Sequence, residues 1–282
     1  MNVYKYLQIF IVTMIAHKYS IFEKIGNGKF GTVYKGEHVH RKQSVAIKLE
    51  STHHSYNTLK HETTVLNYLY HCGCRCVPSV LYYGLFSQHH CLIMDFYEQS
   101  LEDYMKMPRK PEQINTIMFR AIQILGEIHS HKIVHRDIKP ANFMLHMSQL
   151  FLIDFGMANV CDNQTTMQTE IGRNLVGSPK YASFFVHEGC EYEPRDDLIS
   201  LGYCYLYFVN GTLPWSDATS TGVVENSTDI LHPENQRRKY YKQWAQLGEY
   251  CKSRENIYLF LEYCYHAKKL DYELLSQIFA PK

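Results

Sequence analysis

Residues 135–143 read HRDIKPANF, and a second short block, IDFG, follows at 153–156. The first sets an arginine, a carboxylate, a lysine and an amide close together around a proline. The second puts an aspartate and a glycine at the end of the apolar run LFLIDF. Taken alone, a triplet such as His135-Arg136-Asp137 can arise by chance in a chain of 282 residues. Its meaning depends on what lies upstream and downstream.

Upstream, IGNGKFGTV (25–33) carries Gly26, Gly28 and Gly31 as G-x-G-x-x-G. Dinucleotide-binding folds share this spacing, so alone it is a weak signal. In those folds the last glycine opens a helix and an acid follows about 20 residues on. Here Gly31 is followed by TVYKG, β-prone and closed by another glycine, and then by Val45-Ala46-Ile47-Lys48. Two strands joined by a glycine flap suit a lid over phosphates, because a backbone without Cβ atoms approaches a ligand closely. Phe30 is expected at its tip. Lys48 lies in an apolar strand, and Glu62 lies on the inward stripe Leu59, Glu62, Leu66, Leu69 of the following helix. Each would be a costly buried charge without the other, so the two are expected to pair. Such a pair can aim the ammonium at phosphate oxygens.

These blocks, in this order, resemble the eukaryotic-type protein kinases. The resemblance implies an α+β, bilobal fold. A small β-rich lobe with one helix would cover about residues 19–95, and a larger, mostly helical lobe about 100–282. A short apolar N-terminal extension (1–18) would precede them. The implied activity is transfer of the ATP γ-phosphate to protein substrates, with ATP and Mg²⁺ as cofactors. Asp137 would orient the acceptor hydroxyl and take its proton, and Lys139 would neutralise the transferring phosphoryl group. Asn142 and Asp154 would supply oxygens to Mg²⁺. The flap residues Ile25, Gly26, Asn27, Gly28, Lys29, Phe30, Gly31, Thr32 and Val33, with Ala46, Lys48 and Glu62, would serve ATP.

Within that family, SLEDYM (100–105) after CLIMDF (91–96) resembles casein kinase 1. NLVGSPKYAS, RDDLISLGY, GTLPW and NQRRKYYKQ agree, so the resemblance runs from about Tyr19 to Phe279. It implies a serine/threonine kinase with Met94 as gatekeeper, Asp95 to Tyr97 as hinge and Asp103 near the ribose. YASFF stands where general kinases carry Ala-Pro-Glu, and Phe185 occupies the place of the family's Asn. His135 replaces a Tyr often found there. In casein kinase 1, basic residues form an anion site for acidic or previously phosphorylated substrates. Arg173, Lys180 and Lys239 match those positions, with Arg238 adjacent. Arginine before the catalytic aspartate often needs a phosphate to neutralise it, and Thr165, Thr166 and Thr169 could carry one. The family resemblance implies that none is required. The competing reading is a kinase-fold scaffold without activity, whose mark would be a missing catalytic part. Lys48, Glu62, Asp137, Asn142 and Asp154 are all present.

Composition sets the remaining bounds. The formal net charge is +1, which gives no overall field favouring nucleic acid or an anionic membrane. Neither partner is expected, any anion site must be local, and a monomer is expected. Nine cysteines without regular spacing read as thiols in a reducing, intracellular or cytoplasmic setting. Cys72, Cys74 and Cys76 are spaced poorly for tetrahedral zinc and read as a structural loop. LQIFIVTMIA (7–16) is too short for a bilayer span, which needs roughly 20 apolar residues. A secretory signal is a further reading, against which stands the lack of an A-x-A-like cleavage site before His17; the run reads as a packed strand or as sequence preceding a start at Met14. Ile114, Ile117, Met118, Ala121, Ile122, Leu125 and Ile128 predict a long core-facing helix. DDLISLGYCYLYFVN predicts a buried helix stopped at Gly211. TSTGVVENSTDILHPEN (219–235), with its polar insertion spanning 216–234, reads as a surface loop. No C-terminal tail folding back on the protein is expected.

Overall fold

The computed structural model describes residues 14–28, 31–53, 57–161, 174–216 and 227–281. The chain divides into two compact units. One runs to Asn67 and includes Pro78–Tyr97; the other comprises Tyr68–Val77 and everything from Glu98 onward.

The first unit is a six-stranded antiparallel sheet in the order β1-β2-β3-β4-β6-β5. Its strands are β1 (Met14–Ile15), β2 (Tyr19–Gly28), β3 (Gly31–His38), β4 (Gln43–Ser51), β5 (Val80–Phe86) and β6 (His89–Asp95). Alternation along β4 sends Val45 and Ile47 to a core shared with Ile15, Tyr19, Cys91 and Ile93. The end of the N-terminal apolar run is thus an edge strand: Ile15 pairs with Tyr19 and is buried. The rest of that run lies outside the described residues. β5 escaped the sequence reading because nearly all its side chains are half-buried and no alternation marks a face.

α1 (Thr58–His71) follows β4, with Leu59, Glu62, Leu66 and Leu69 fully buried, as their spacing predicts. Its start is fixed by Glu50, a buried carboxylate that accepts from the Leu59 N–H (2.9 Å) and the Thr58 hydroxyl (3.0 Å). A negative group at this end also meets the positive end of the helix dipole.

The second unit is mostly helical: α2 (Leu101–Tyr104), α3 (Pro111–Ser130), α4 (Phe184–His187), α5 (Pro194–Asn210), α6 (Pro233–Lys242), α7 (Trp244–Cys251), α8 (Glu255–His266) and α9 (Tyr272–Gln277). Short strands β7 (Gln99–Ser100), β9 (Phe143–His146) and β10 (Gln149–Leu152) form one small sheet, and β8 (Ile133–Val134) pairs with β11 (Asn159–Val160). The predicted stripe of α3 is buried at every position named from sequence. Full burial of each such aliphatic side chain is worth about 1.5–3 kcal/mol. α5 is buried without a break from Asp196 to Leu206 and packs on α3 and α8. It ends at Gly211, which takes the left-handed conformation at the cap. Asp197, near the start of α5, bonds the backbone at the head of the loop 135–143.

The stretch 219–235 departs from the loop expectation. Pro233 opens α6, so Pro233, Glu234 and Asn235 are helical. Proline suits the first helical position, where its missing N–H costs nothing. Before it, Thr228 and Asp229 pair with Leu175 and Asn174, tying this stretch to residues 174–175. Residues 217–226 lie outside the described residues. Among the described residues, no helix is long and apolar enough to cross a membrane.

Candidate active site

In the first unit, β2 and β3 bring the glycine flap together as a hairpin, pairing Gly26 with Val33, Asn27 with Thr32 and Gly28 with Gly31. Asn27 Oδ1 accepts from Lys24 Nζ (3.0 Å) and Thr32 Oγ1 (3.1 Å), bracing the two arms. A Cβ at Gly31 would overlap the Leu49 carbonyl of β4, so the flap's close seating on the sheet requires glycine there. Ile25 is exposed. Lys29 and Phe30 lie outside the described residues.

Lys48 and Glu62 meet as expected: Nζ donates to Oε2 at 2.7 Å, with Glu62 fully buried and only 12% of the Lys48 side chain exposed. Ala46 pairs with Met94 across β4 and β6, and both are buried. Asp95 follows at the end of β6, where its carboxylate accepts from the Ser79 N–H at 2.9 Å, and Tyr97 is buried beyond it.

In the second unit, the loop 135–143 gathers the groups the sequence singles out. Asp137 Oδ1 accepts from the Ser178 N–H (2.8 Å), and Oδ2 accepts from Lys139 Nζ (2.6 Å). Asn142 Nδ2 donates to the Asp137 carbonyl at 2.8 Å and lies 3.3 Å from Oδ2. Asp154 comes alongside through its neighbour, because the Ile153 N–H donates to the Asn142 carbonyl at 2.9 Å. Asp154 itself adopts the left-handed region (φ 68°), a conformation that side-chain-bearing residues hold only where the surroundings enforce it. His135 supplies the enforcement. Its Nδ1 accepts the Asp137 N–H (3.3 Å), so the proton sits on Nε2, which donates to the Ile153 carbonyl at 3.0 Å. Its ring also packs edge-on against Phe155, with centroids 4.9 Å apart.

The donor set fits a hard divalent cation. Asn142 spends its amide N–H groups on Asp137, which leaves its oxygen for a metal, and Asp154 brings a carboxylate. Among the described residues, no cluster of three or more His, Cys, Asp or Glu is disposed to hold a metal. Around the C-x-C-x-C run, Cys76 Sγ donates to Glu127, and burial followed by the Glu127 charge pushes the Cys74 thiol up to about 12. Asp103 is bound by Lys106 (2.6 Å) and Ser100 (2.7 Å), which hold its carboxyl below the ordinary value.

The residues proposed for an anion site have separate partners. The Lys180 amine lies 4.0 Å over the Tyr207 ring, and burial lowers its pKa. Lys239 pairs with Glu188 at 2.6 Å, and Arg238 is buried and donates to Asn235 at 2.9 Å. Arg173 lies outside the described residues, as do Thr165, Thr166 and Thr169. Phe185 finds a physical reason here. Its ring carries the Arg195 guanidinium at 4.2 Å and packs on Tyr265 at 5.5 Å, joining α4 to α5 and α8.

Two groups essential to this arrangement went unrecognised in the sequence. Gly177 (φ 81°) leaves no room for a Cβ, which would overlap the Arg136 carbonyl and crowd Asp137. Asp197, fully buried at the start of α5, accepts from the backbone N–H groups of His135 (2.7 Å) and Arg136 (3.0 Å). It also accepts from His129 Nε2 (2.9 Å) and the Tyr192 hydroxyl (2.8 Å). Burial alone would raise its pKa, but the His129 and His135 contacts reverse this and hold it below the ordinary carboxylate value. The signal was available: two acids open an otherwise apolar helix, and buried charges need partners.

Its neighbour Asp196 behaves oppositely. It accepts from the Ser183 hydroxyl and from the Glu193 N–H (2.7 Å), yet burial outweighs these bonds and raises its pKa to about 7. A raised folded-state value means that this group's stabilising contribution is complete below about pH 4 and is lost as pH rises through 7. Asp196→Asn removes the titration. Urea unfolding from pH 5 to 8 should therefore show the wild type losing on the order of 2–4 kcal/mol relative to the variant. Parallel pH curves for the two proteins would refute this.

A family model described as a protein kinase domain matches residues 19–269.

Proposed function

Because the chain belongs to the protein kinase family, and so to the phosphotransferases, we propose that it is a serine/threonine kinase of the casein kinase 1 type. Its substrates would be acidic or previously phosphorylated proteins. The observation that carries the catalytic part is the setting of Asp137. One carboxylate oxygen is fixed by the Ser178 N–H and the other by Lys139, so the group is oriented before a substrate arrives. Asp137 orients the acceptor hydroxyl and takes its proton. Lys139, already at that carboxylate, offsets negative charge developing on the transferring group. Lys48, aimed by Glu62, is suited to ATP phosphate oxygens, and the flap's exposed backbone to the same phosphates. A magnesium ion held by Asn142 and Asp154 would neutralise phosphate charge when bound. Ala46, Met94, Asp95 to Tyr97 and Asp103 are assigned to the nucleotide on the family pattern.

Arg136 bears on regulation. Its Nε donates to the Met157 carbonyl at 2.6 Å, and its backbone N–H is held by Asp197. This internal partner supports activity without a phosphate on Thr165, Thr166 or Thr169. The serine/threonine and acidic preferences rest on the resemblance around NLVGSPKYAS and on Arg173, Lys180 and Lys239.

Phosphatase-treated recombinant protein should transfer labelled γ-phosphate to serine and threonine peptides. A primed peptide should exceed its unphosphorylated twin in kcat/KM by on the order of tenfold. Equal values for the twins, unchanged in an Arg173→Ala/Lys180→Ala variant, would remove the acidic preference. Activity that returns only after treatment by an upstream kinase would remove the regulatory reading. A folded, ATP-binding protein with no transfer at all would be a scaffold.

A further inference from the structure

We propose that Lys242 is a positioning residue for the substrate-recognition segment Ser178–His187, holding its backbone by hydrogen bonds from a buried amine. This deepens the kinase reading above and rests on it for its functional consequence.

Lys242 is the last residue of α6 and is fully buried. Its Nζ donates to the carbonyls of Pro179 (2.9 Å) and Ala182 (2.6 Å) and lies 3.1 Å from His187 Nε2. The rings of Tyr203 and Trp215 close the site, with the amine 5.2 and 5.1 Å from their centroids. Among the described residues its polar partners are carbonyls and an imidazole, with no carboxylate. Burying a lysine in this way is expensive, so such an arrangement persists only where the groups it satisfies would otherwise be left unpaired. The segment from Asn174 to Ser183 forms no helix, and its one β-bridge is at Asn174. Its carbonyls therefore have few neighbours of their own to bind. Trp215 extends the pattern, its Nε1–H donating to the Lys180 carbonyl at 2.8 Å.

The same segment is the one that touches the catalytic loop. Ser178 donates its N–H to Asp137 and lies 3.4 Å from Lys139 Nζ, immediately before the first clamped carbonyl. Fixing Pro179 and Ala182 thus fixes the backbone against which an acceptor peptide would be presented to Asp137. This also gives a reason for YASFF. The segment closes without the Glu of Ala-Pro-Glu, and the anchoring amine donates to backbone oxygens instead.

His187 completes the site. Burial first, and then the Lys242 charge, lower its pKa to about 2, so its ring is neutral. Its Nδ1 has no hydrogen-bond partner among the described residues. Its Nε2 lies between the Lys242 amine and the Pro179 carbonyl, 3.2 Å from the latter.

The test is Lys242→Met in the full chain, which keeps the volume and removes the donors, with His187→Phe as a milder second variant. Lys242→Met should raise the peptide KM by about tenfold or more. kcat should fall less than KM rises, and affinity for a non-hydrolysable ATP analogue should stay at the wild-type value. Amide hydrogen exchange should accelerate at Tyr181, Ala182 and His187, whose N–H groups bond within the segment. His187→Phe should shift KM and exchange in the same direction by a smaller factor. Wild-type peptide KM and wild-type exchange in both variants would overturn the proposal, as would equal losses of peptide and nucleotide affinity. If the wild type itself transfers no phosphate, the kinase reading fails, and hydrogen exchange alone decides whether Lys242 holds the segment.

Discussion

Asp137→Asn should lower kcat for phosphate transfer by at least about 10³-fold, since a positioned general base contributes about 10²–10⁴ and its charge also organises its neighbours. The exchange is nearly isosteric. The amide oxygen can still accept the Ser178 N–H, but the other arm becomes a donor. That arm now opposes Lys139 Nζ, which sits 2.6 Å from Oδ2 in the native protein, and Asn142 Nδ2 at 3.3 Å. The variant therefore loses the proton acceptor and repels the lysine at once. Because the side chain's shape is kept, nucleotide binding and melting temperature should stay close to the wild type. Single-turnover transfer with saturating ATP is the measurement. A rate within about tenfold of the wild type would show that Asp137 is not the base.

Asp197→Ala should be the most damaging change to stability. Asp197 is fully buried, and its removal leaves the His135 and Arg136 N–H groups and the His129 imidazole without their acceptor. Breaking one partner out of such a buried set costs on the order of 3–5 kcal/mol. For a chain of this size that corresponds to a melting-temperature loss of roughly 10 °C. The effect reaches catalysis too. Arg136 sits at φ 67°, a left-handed conformation held by this carboxylate one residue before Asp137. Acid should act on the wild type in the same sense: the lowered pKa of Asp197 contributes stability above the ordinary carboxylate value, lost as pH falls through the folded-state value. Calorimetry paired with transfer assays checks both parts. A variant that melts within about 2 °C of the wild type and keeps its rate would overturn this role.

Much of this architecture could be read from the chain because periodicity reports burial. The stripes of α1 and α3 were visible as spacing, and the pairing of Lys48 with Glu62 followed from the cost of leaving either charge alone. The loop 135–143 and the block at 153–156 likewise named their own chemistry. What spacing does not report is which distant group meets a buried polar atom. Asp196 and Asp197 are adjacent and chemically identical, yet one carboxyl is raised and the other lowered. The difference lies in donors contributed by His129 and His135. Lys180 and Lys239 looked alike as basic positions, but one lies over Tyr207 and the other pairs with Glu188. Phe185 had no meaning until Arg195 and Tyr265 were brought to it by tertiary packing.

The bonds from Lys242 and Trp215 end on main-chain oxygens at positions 179, 180 and 182. Every amino acid carries that oxygen, so the anchoring does not depend on which side chains occupy those positions. On the proposed reading, variation at 180 and 181 would retune what the segment recognises while its path past Asp137 stays the same. Preference for an acceptor and the capacity to phosphorylate it would then be written in different atoms of the same residues, and one could drift without the other.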